Sequence, residues 1–136
     1  FIKTRVNLIE QPLLSENDDE LKGLNYPVSI CADESFHDSS DLDEMQNKYD
    51  TINIKLDKTG GLSEALVIAN EAKRLNLKIM LGCMVSSSLS MIPLLPLYQF
   101  ADFIDLDGPC FISHDRENGL IYEKGMILLN RDLCWG

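Results

Sequence analysis

The chain has 136 residues, is 45% hydrophobic and 25% charged, and carries a formal net charge of −10. This is the composition of one modest globular domain, not of a disordered segment. The acidic balance argues against nucleic acid or an anionic membrane surface as partner, and the most apolar stretch, residues 89–100, is too short to span a bilayer and contains Pro93 and Pro96.

Residues 5–11 (RVNLIEQ) read as a strand stopped by Pro12, and Ser15 as the N-cap of a short, acidic-fronted helix over 15–24. Residues 28–33 (VSICAD) form the next strand, and Ser40 or Asp41 caps a helix reaching about residue 49. The run 52–56 (INIKL) is apolar and β-branched, with Lys55 inside it, and Gly60-Gly61 end it. Residues 62–75 give the clearest helix, with Leu62, Ala65, Leu66, Ala69 and Ala72 at helical spacing. A fourth strand covers 78–83, and the serines at 86–88 cap a helix running to about 99. A fifth strand, 103–107 (FIDLD), is closed by Gly108-Pro109. In 112–129, Glu117-Asn118-Gly119 and Lys124-Gly125 mark turns between short extended pieces. The cysteines Cys31, Cys83, Cys110 and Cys134 show no C-x-x-C spacing and read as free thiols in a reducing compartment, not as a zinc site.

The residues ending the strands, Glu10, Asp33, Lys55, Gly82 and Asp105, are spaced by 22 to 27 residues. That is the length of a strand plus a crossover helix, so the chain reads as successive βα units of a parallel sheet. A doubly wound open sheet and a (β/α)8 barrel both fit this pattern. No Gly-rich phosphate fingerprint follows any strand, and polar residues at successive strand ends favour the barrel. Five units do not close an eight-stranded barrel, and the chain opens at Phe1, without Met, almost directly in a strand. A preceding segment, a second chain or self-association is therefore expected to cover its two strand edges. The expected division is a partial barrel over 1–110 and a tail over 111–136.

Glu10 and Asp33 on adjacent strands form a site for a hard cation such as Mg²⁺, although a strand-end acid also commonly caps a turn. Beside a cation, Lys55 would have a lowered pKa and could act as a proton-transfer base. Asp105 and Asp107 alternate to one side of the fifth strand and suit a metal or a substrate ammonium group. Asn53 shares the face of Lys55 and can orient a ligand, although a polar residue there more often simply fills the core. Gly82-Cys83-Met84 ends the fourth strand, where a glycine admits close approach to the backbone. Lys58 reads as an outer charge or a surface residue.

The segments Ile9-Glu10-Gln11-Pro12, Ala32-Asp33-Glu34-Ser35, Asn53-Ile54-Lys55-Leu56-Asp57-Lys58-Thr59-Gly60-Gly61 and Asp105-Leu106-Asp107-Gly108-Pro109 occur in that order. They resemble the enolase superfamily in its muconate-lactonizing-enzyme subgroup, and within it the dipeptide epimerases of the L-Ala-D/L-Glu epimerase type. The stretch from Leu81-Gly82-Cys83-Met84 through the serines and the closing Leu133-Cys134-Trp135-Gly136 are similar to its bacterial branch. The resemblance implies a (β/α)8 barrel with a capping domain, dependence on Mg²⁺, a dipeptide substrate and a bacterial cytoplasmic setting. It implies that Glu10 and Asp33 are the second and third of three metal carboxylates. Lys55 would be one of two lysines that exchange the α-proton from opposite faces, and Asp105 and Asp107 would hold the dipeptide ammonium group. Asn53, Gly82, Cys83 and Met84 are the remaining candidates for substrate contact. The first metal aspartate, the other lysine and the capping domain are expected upstream of Phe1, and the isolated chain is expected to be inactive. An N-acyl amino acid racemase, a cycloisomerase and an inactive half-barrel are the alternatives.

Overall fold

The aliphatic runs become the strands β1 (Leu8–Glu10), β2 (Ser29–Ala32), β3 (Thr51–Ile54), β4 (Lys78–Leu81) and β5 (Phe103–Ile104) of the computed structural model, which describes residues 5–134. All pair in parallel, and their order in space is their order in the chain. A doubly wound sheet reverses its strand order at a switch point, whereas a barrel wall does not. The five strands form a curled half-barrel.

The register places the strand-end residues. Glu10 lies opposite Cys31, two residues before Asp33, and Ala32 lies opposite Ile52, which sets Asp33 level with Asn53, two residues before Lys55. Such stagger is the shear that curls a sheet towards closure. Glu10, Asp33 and Lys55 are therefore not at one level, as the sequence implied. The two-residue step nevertheless preserves side-chain parity, so they share a face with Cys31, Thr51 and Asn53. Beyond β3 the pairing is level, with Ile54 opposite Leu81 and Leu81 opposite Ile104. Lys55, Gly82 and Asp105 follow at matching positions.

The other face is aliphatic. Ile30, Ala32, Ile52, Ile54, Ile79 and Leu81 pack into one core with the helix layer, and full burial of each large side chain contributes about 1.5–3 kcal/mol. Helix α1 (Leu42–Met45) supplies Leu42 and Met45 to that core. A one-turn helix, α2 (Leu56–Thr59), follows Lys55, and α3 (Leu62–Arg74) follows α2. The buried arc of α3 is Ala65, Ile68, Ala69 and Ala72, at i, i+3, i+4 and i+7, while Leu66 is 37% exposed. The arc is thus turned from the one read in the sequence. The paired glycines end α2 and not β3: Gly60 (φ 79°) and Gly61 (φ 118°) take left-handed conformations that let the chain re-enter a helix at once.

The remaining helices are less regular than their patterns implied. Residues 15–24 yield a 3-10 helix, Ser15–Leu21, and α1 is entered through a 3-10 turn, Ser39–Asp41, whose N-cap is Asp38. The helix α4 (Ser88–Met91) passes into a 3-10 segment, Ile92–Phe100, where Pro93 and Pro96 remove backbone donors. After the 3-10 turn Gly108–Phe111, the strands β6 (Ile121–Glu123) and β7 (Met126–Leu128) form an antiparallel hairpin. Its turn, Lys124 (φ 52°) and Gly125 (φ 75°), has the positive φ angles of a type I′ connection. Asp115 fastens this tail. Its carboxylate accepts from Ser88 N at 2.8 Å and from the Ser88 hydroxyl, and Ser88 Oγ accepts from Leu120 N at 2.9 Å. The cap of α4 is this carboxylate, not a neighbouring serine hydroxyl. No helix among the described residues is long and apolar enough to cross a membrane.

Candidate active site

Asp33 directly follows β2, Lys55 directly follows β3, and they meet on the polar face. Lys55 Nζ donates to Asp33 Oδ2 at 2.6 Å. Lys58 Nζ donates to Asp33 Oδ1 and to the Asp33 carbonyl, each at 2.6 Å. The turn α2 brings Lys58 back over the strand end, with Nζ 5.9 Å from the centre of the buried Phe36 ring. The Asp33 carboxylate oxygens thus go to lysines and cap no turn. Burial pushes the Asp33 carboxyl up, but the two lysines outweigh it and hold its pKa below the usual carboxylate range. For Lys55, burial disfavours the charge, yet the hydrogen bond and charge of Asp33, with Glu10 and Glu34, raise the pKa. Lys55 in this arrangement is an ammonium group paired to a carboxylate. The lowered pKa expected beside a cation is not what these neighbours produce.

Glu10 ends β1 and receives a hydrogen bond from Asn53 Nδ2 at 2.5 Å. Asn53 is 1% exposed, and its Oδ1 is buried with no hydrogen-bond partner. Gly82, after β4, makes room for that amide, since a Cβ there would lie 2.2 Å from Asn53 Oδ1 and 2.6 Å from Nδ2. Gly82 therefore packs against Asn53, a role the sequence did not suggest.

Asp105 directly follows β5, and its N–H donates to Leu81 O at 2.8 Å. Burial, and then the neighbouring Asp107, push its carboxyl pKa up, and Lys55 opposes them. Asp105 thus senses a cation, in Lys55. Cys83 Sγ accepts from Gly108 N at 3.3 Å and is pushed up by burial, whereas Met84 is 51% exposed at the rim. Asp105 and Asp107 line a cleft of about 480 Å³ against the β6–β7 hairpin, with Tyr122 and Lys124 on its far wall.

Among the described residues, no group of three or more His, Cys, Asp or Glu side chains converges to hold a metal. Glu10 and Asp33 carry two carboxylates with hard oxygens, those of Asp33 being paired here to Lys55 and Lys58. That fits Mg²⁺, which takes one or two protein carboxylates and completes its shell with water and substrate. Two residues at the site were not among the expected site residues. Lys58 could have been found from its i, i+3 spacing to Lys55 on a helical turn. Gln11, whose amide reaches Asp33 N at 2.8 Å, carried no signal beyond its place after Glu10.

Parallel βα units with carboxylates and a lysine at their carboxyl ends define a barrel-type α/β domain with its chemistry at one mouth. A profile described as Enolase C-terminal domain-like matches residues 2–130, and the chain belongs to that family. It is 44% identical, over 96% of its length, to the N-acetyl-D-glutamate racemase of Pseudoalteromonas sp, and 44% identical, over 91%, to the L-Ala-D/L-Glu epimerase of Escherichia coli (strain K12). The chain spans 42% and 39% of those proteins. Among solved structures, it superposes with a TM-score of 0.92 and 48% identity on an enolase family member from Agrobacterium tumefaciens with homology to dipeptide epimerases, bound to sodium and L-Ala-L-Glu. The match covers 98% of this chain and 41% of that one. A dipeptide epimerase from Methylococcus capsulatus, complexed with Mg ion, matches with a TM-score of 0.82 at 29% identity over 94% of this chain and 40% of that one. The curated relatives are isomerases.

Proposed function

We propose that the protein carrying this chain is a Mg²⁺-dependent epimerase of dipeptides of the L-Ala-D/L-Glu type, working in the bacterial cytoplasm. The observation that carries this reading is one lysine, Lys55, paired to Asp33 and electrostatically coupled to both Glu10 and Asp105. Lys55, held here as an ammonium group, would be the acid/base between a cation-binding pair and an ammonium-binding pair, returning a proton as it stands and taking one only in its neutral form. Removing the proton α to a carboxylate builds negative charge on that carboxylate. Mg²⁺ held by Glu10 and Asp33 supplies the opposing charge when bound. Lys55 Nζ takes the proton from one face of the α-carbon, or returns it there. Asp105 and Asp107 hold the dipeptide ammonium group and thereby orient the α-carbon. Asn53, Gly82, Cys83 and Met84 frame the site between these pairs. Inversion requires a second acid/base on the opposite face, so the chain by itself is expected to be inactive. Residues 111–136 would close the site against the rest of the barrel and a capping domain.

Lys55→Ala in the full-length protein tests this. Conversion of L-Ala-L-Glu to L-Ala-D-Glu, with Mg²⁺ present, is expected to fall about 10²–10⁴-fold, and undiminished epimerisation would sink the assignment. The similarity to an N-acetyl-D-glutamate racemase favours a second reading. Both substrates are N-acylated glutamates, but only the dipeptide has an ammonium group for Asp105 and Asp107. Faster inversion of N-acetylglutamate than of L-Ala-L-Glu would select the second reading.

A further inference from the structure

We propose that Gln11 is a positioning residue that fixes Glu10 relative to Asp33. This rests on the proposed reading of those two carboxylates as a metal site. Gln11 follows Glu10 in the chain, and its backbone N–H donates to Cys31 O at 2.8 Å, the last rung between β1 and the β2 side. Its side chain then continues the connection where the backbone ladder ends. Oε1 accepts from Asp33 N at 2.8 Å and from Ser35 N at 3.3 Å. The two hydrogens of Nε2 go to Leu13 O at 2.8 Å and Ser35 Oγ at 2.7 Å, with Tyr49 OH sharing one of them at 3.1 Å. Both ends of the amide are therefore occupied, and its orientation is fixed by chemistry at each end. Tyr49 is itself held, because its hydroxyl donates to Asp18 Oδ2 at 3.0 Å and Asp18 is paired to Lys48 at 2.6 Å.

The backbone adds an independent observation. Gln11 has φ 36°, in the left-handed region, although it is not glycine and stands before Pro12. A long side chain holds such a conformation only where its surroundings determine it, and such residues concentrate at functional sites. The turn it makes directs the chain away from β1 immediately after Glu10. One residue thus sets the direction in which Glu10 leaves its strand and grips the backbone of Asp33. In metal sites, groups that orient the ligands typically govern affinity tenfold to a hundredfold.

The test uses the full-length protein and Mn²⁺, which takes the same oxygen ligands as Mg²⁺, with free Mn²⁺ counted by electron paramagnetic resonance. Gln11→Met keeps the length of the side chain and removes all the hydrogen bonds of its amide. Its Kd for Mn²⁺ is expected to rise tenfold or more. Ile68→Val, in the core layer of α3, controls for lost stability and is expected to leave the Kd unchanged. Gln11→Asn keeps the amide one methylene short, suits a positive φ better, and serves if the Met variant does not fold; the same rise is expected. A Kd within twofold of the unaltered protein in these Gln11 variants overturns the inference and leaves the metal site standing. Failure of the unaltered protein to bind Mn²⁺ overturns the metal site itself, and the inference with it.

Discussion

A methyl group added at Gly82 has nowhere to go but into the amide of Asn53, 2.2 Å away. That amide is fully buried and holds Glu10. Gly82→Ala is therefore expected to push Asn53 off Glu10 and to lower stability by about 1–3 kcal/mol, the usual effect of overpacking, read as a lower urea midpoint. An unchanged midpoint would show that Asn53 can yield without loss. The residues that carry the site were legible to the extent that they end aliphatic runs. Glu10, Asp33, Lys55 and Asp105 all stand at or directly after a strand. What was not legible is what each of them touches. Lys58 lay outside the expected site because its contact with Asp33 exists only through the α2 turn. The charge on Lys55 also depended on a partner, Asp33, that lies 22 residues away.

At the level of elements, the Asp115 carboxylate is a main fastening of the tail, beside the Tyr122 hydroxyl, which donates to Leu106 O at 2.7 Å. Burial raises the pKa of Asp115, but the hydrogen bonds from Ser88 and Arg116 outweigh it and lower it. A group lowered on folding contributes stability that is complete above its unfolded pKa of about 4 and is lost as the pH falls through the lower folded value. Amide protection at Leu120 and across β6 and β7 is therefore expected to be constant above about pH 4 and to decline below it. In Asp115→Ala, it is expected to be low throughout and independent of acid pH. Hydrogen exchange followed by NMR checks this, and an unaltered acid-side decline in the variant would relieve Asp115 of the role. The hairpin itself was readable from Lys124-Gly125, because the turn chemistry is local. The helices over 15–24 and 88–99 were read as too regular, since polarity and apolar spacing do not reveal where prolines and short loops tighten the chain into 3-10 form.

For the molecule as a whole, β1 and β5 each pair on one side only among the described residues. Next to β5 lies a largely apolar cleft of about 380 Å³ lined by Leu81, Leu95, Tyr98, Ile104 and Leu129, of which Tyr98 is 69% and Leu129 62% exposed. Open strand edges beside apolar surface promote association. The isolated 136-residue chain, of 15.3 kDa, is expected to show a native mass above that value by light scattering, and a stable monomer at micromolar concentration would contradict this. The parallel βα plan was visible because its repeat of 22 to 27 residues is written in the strand ends. The stagger was not visible, since it is set by pairing between strands and not by any one of them.

The strand order has a consequence for biogenesis. Because β1 to β5 pair strictly in the order in which they occur, each of β2 to β5, on emerging from a ribosome, finds a partner already made. No strand has to wait for a distant later one, and each ladder can close over a short stretch of chain. The β6–β7 hairpin and the chain around Asp115 arrive after all five of these strands. The cleft beside Asp105 and Asp107 gains its far wall only when the rest of the sheet can already be in place.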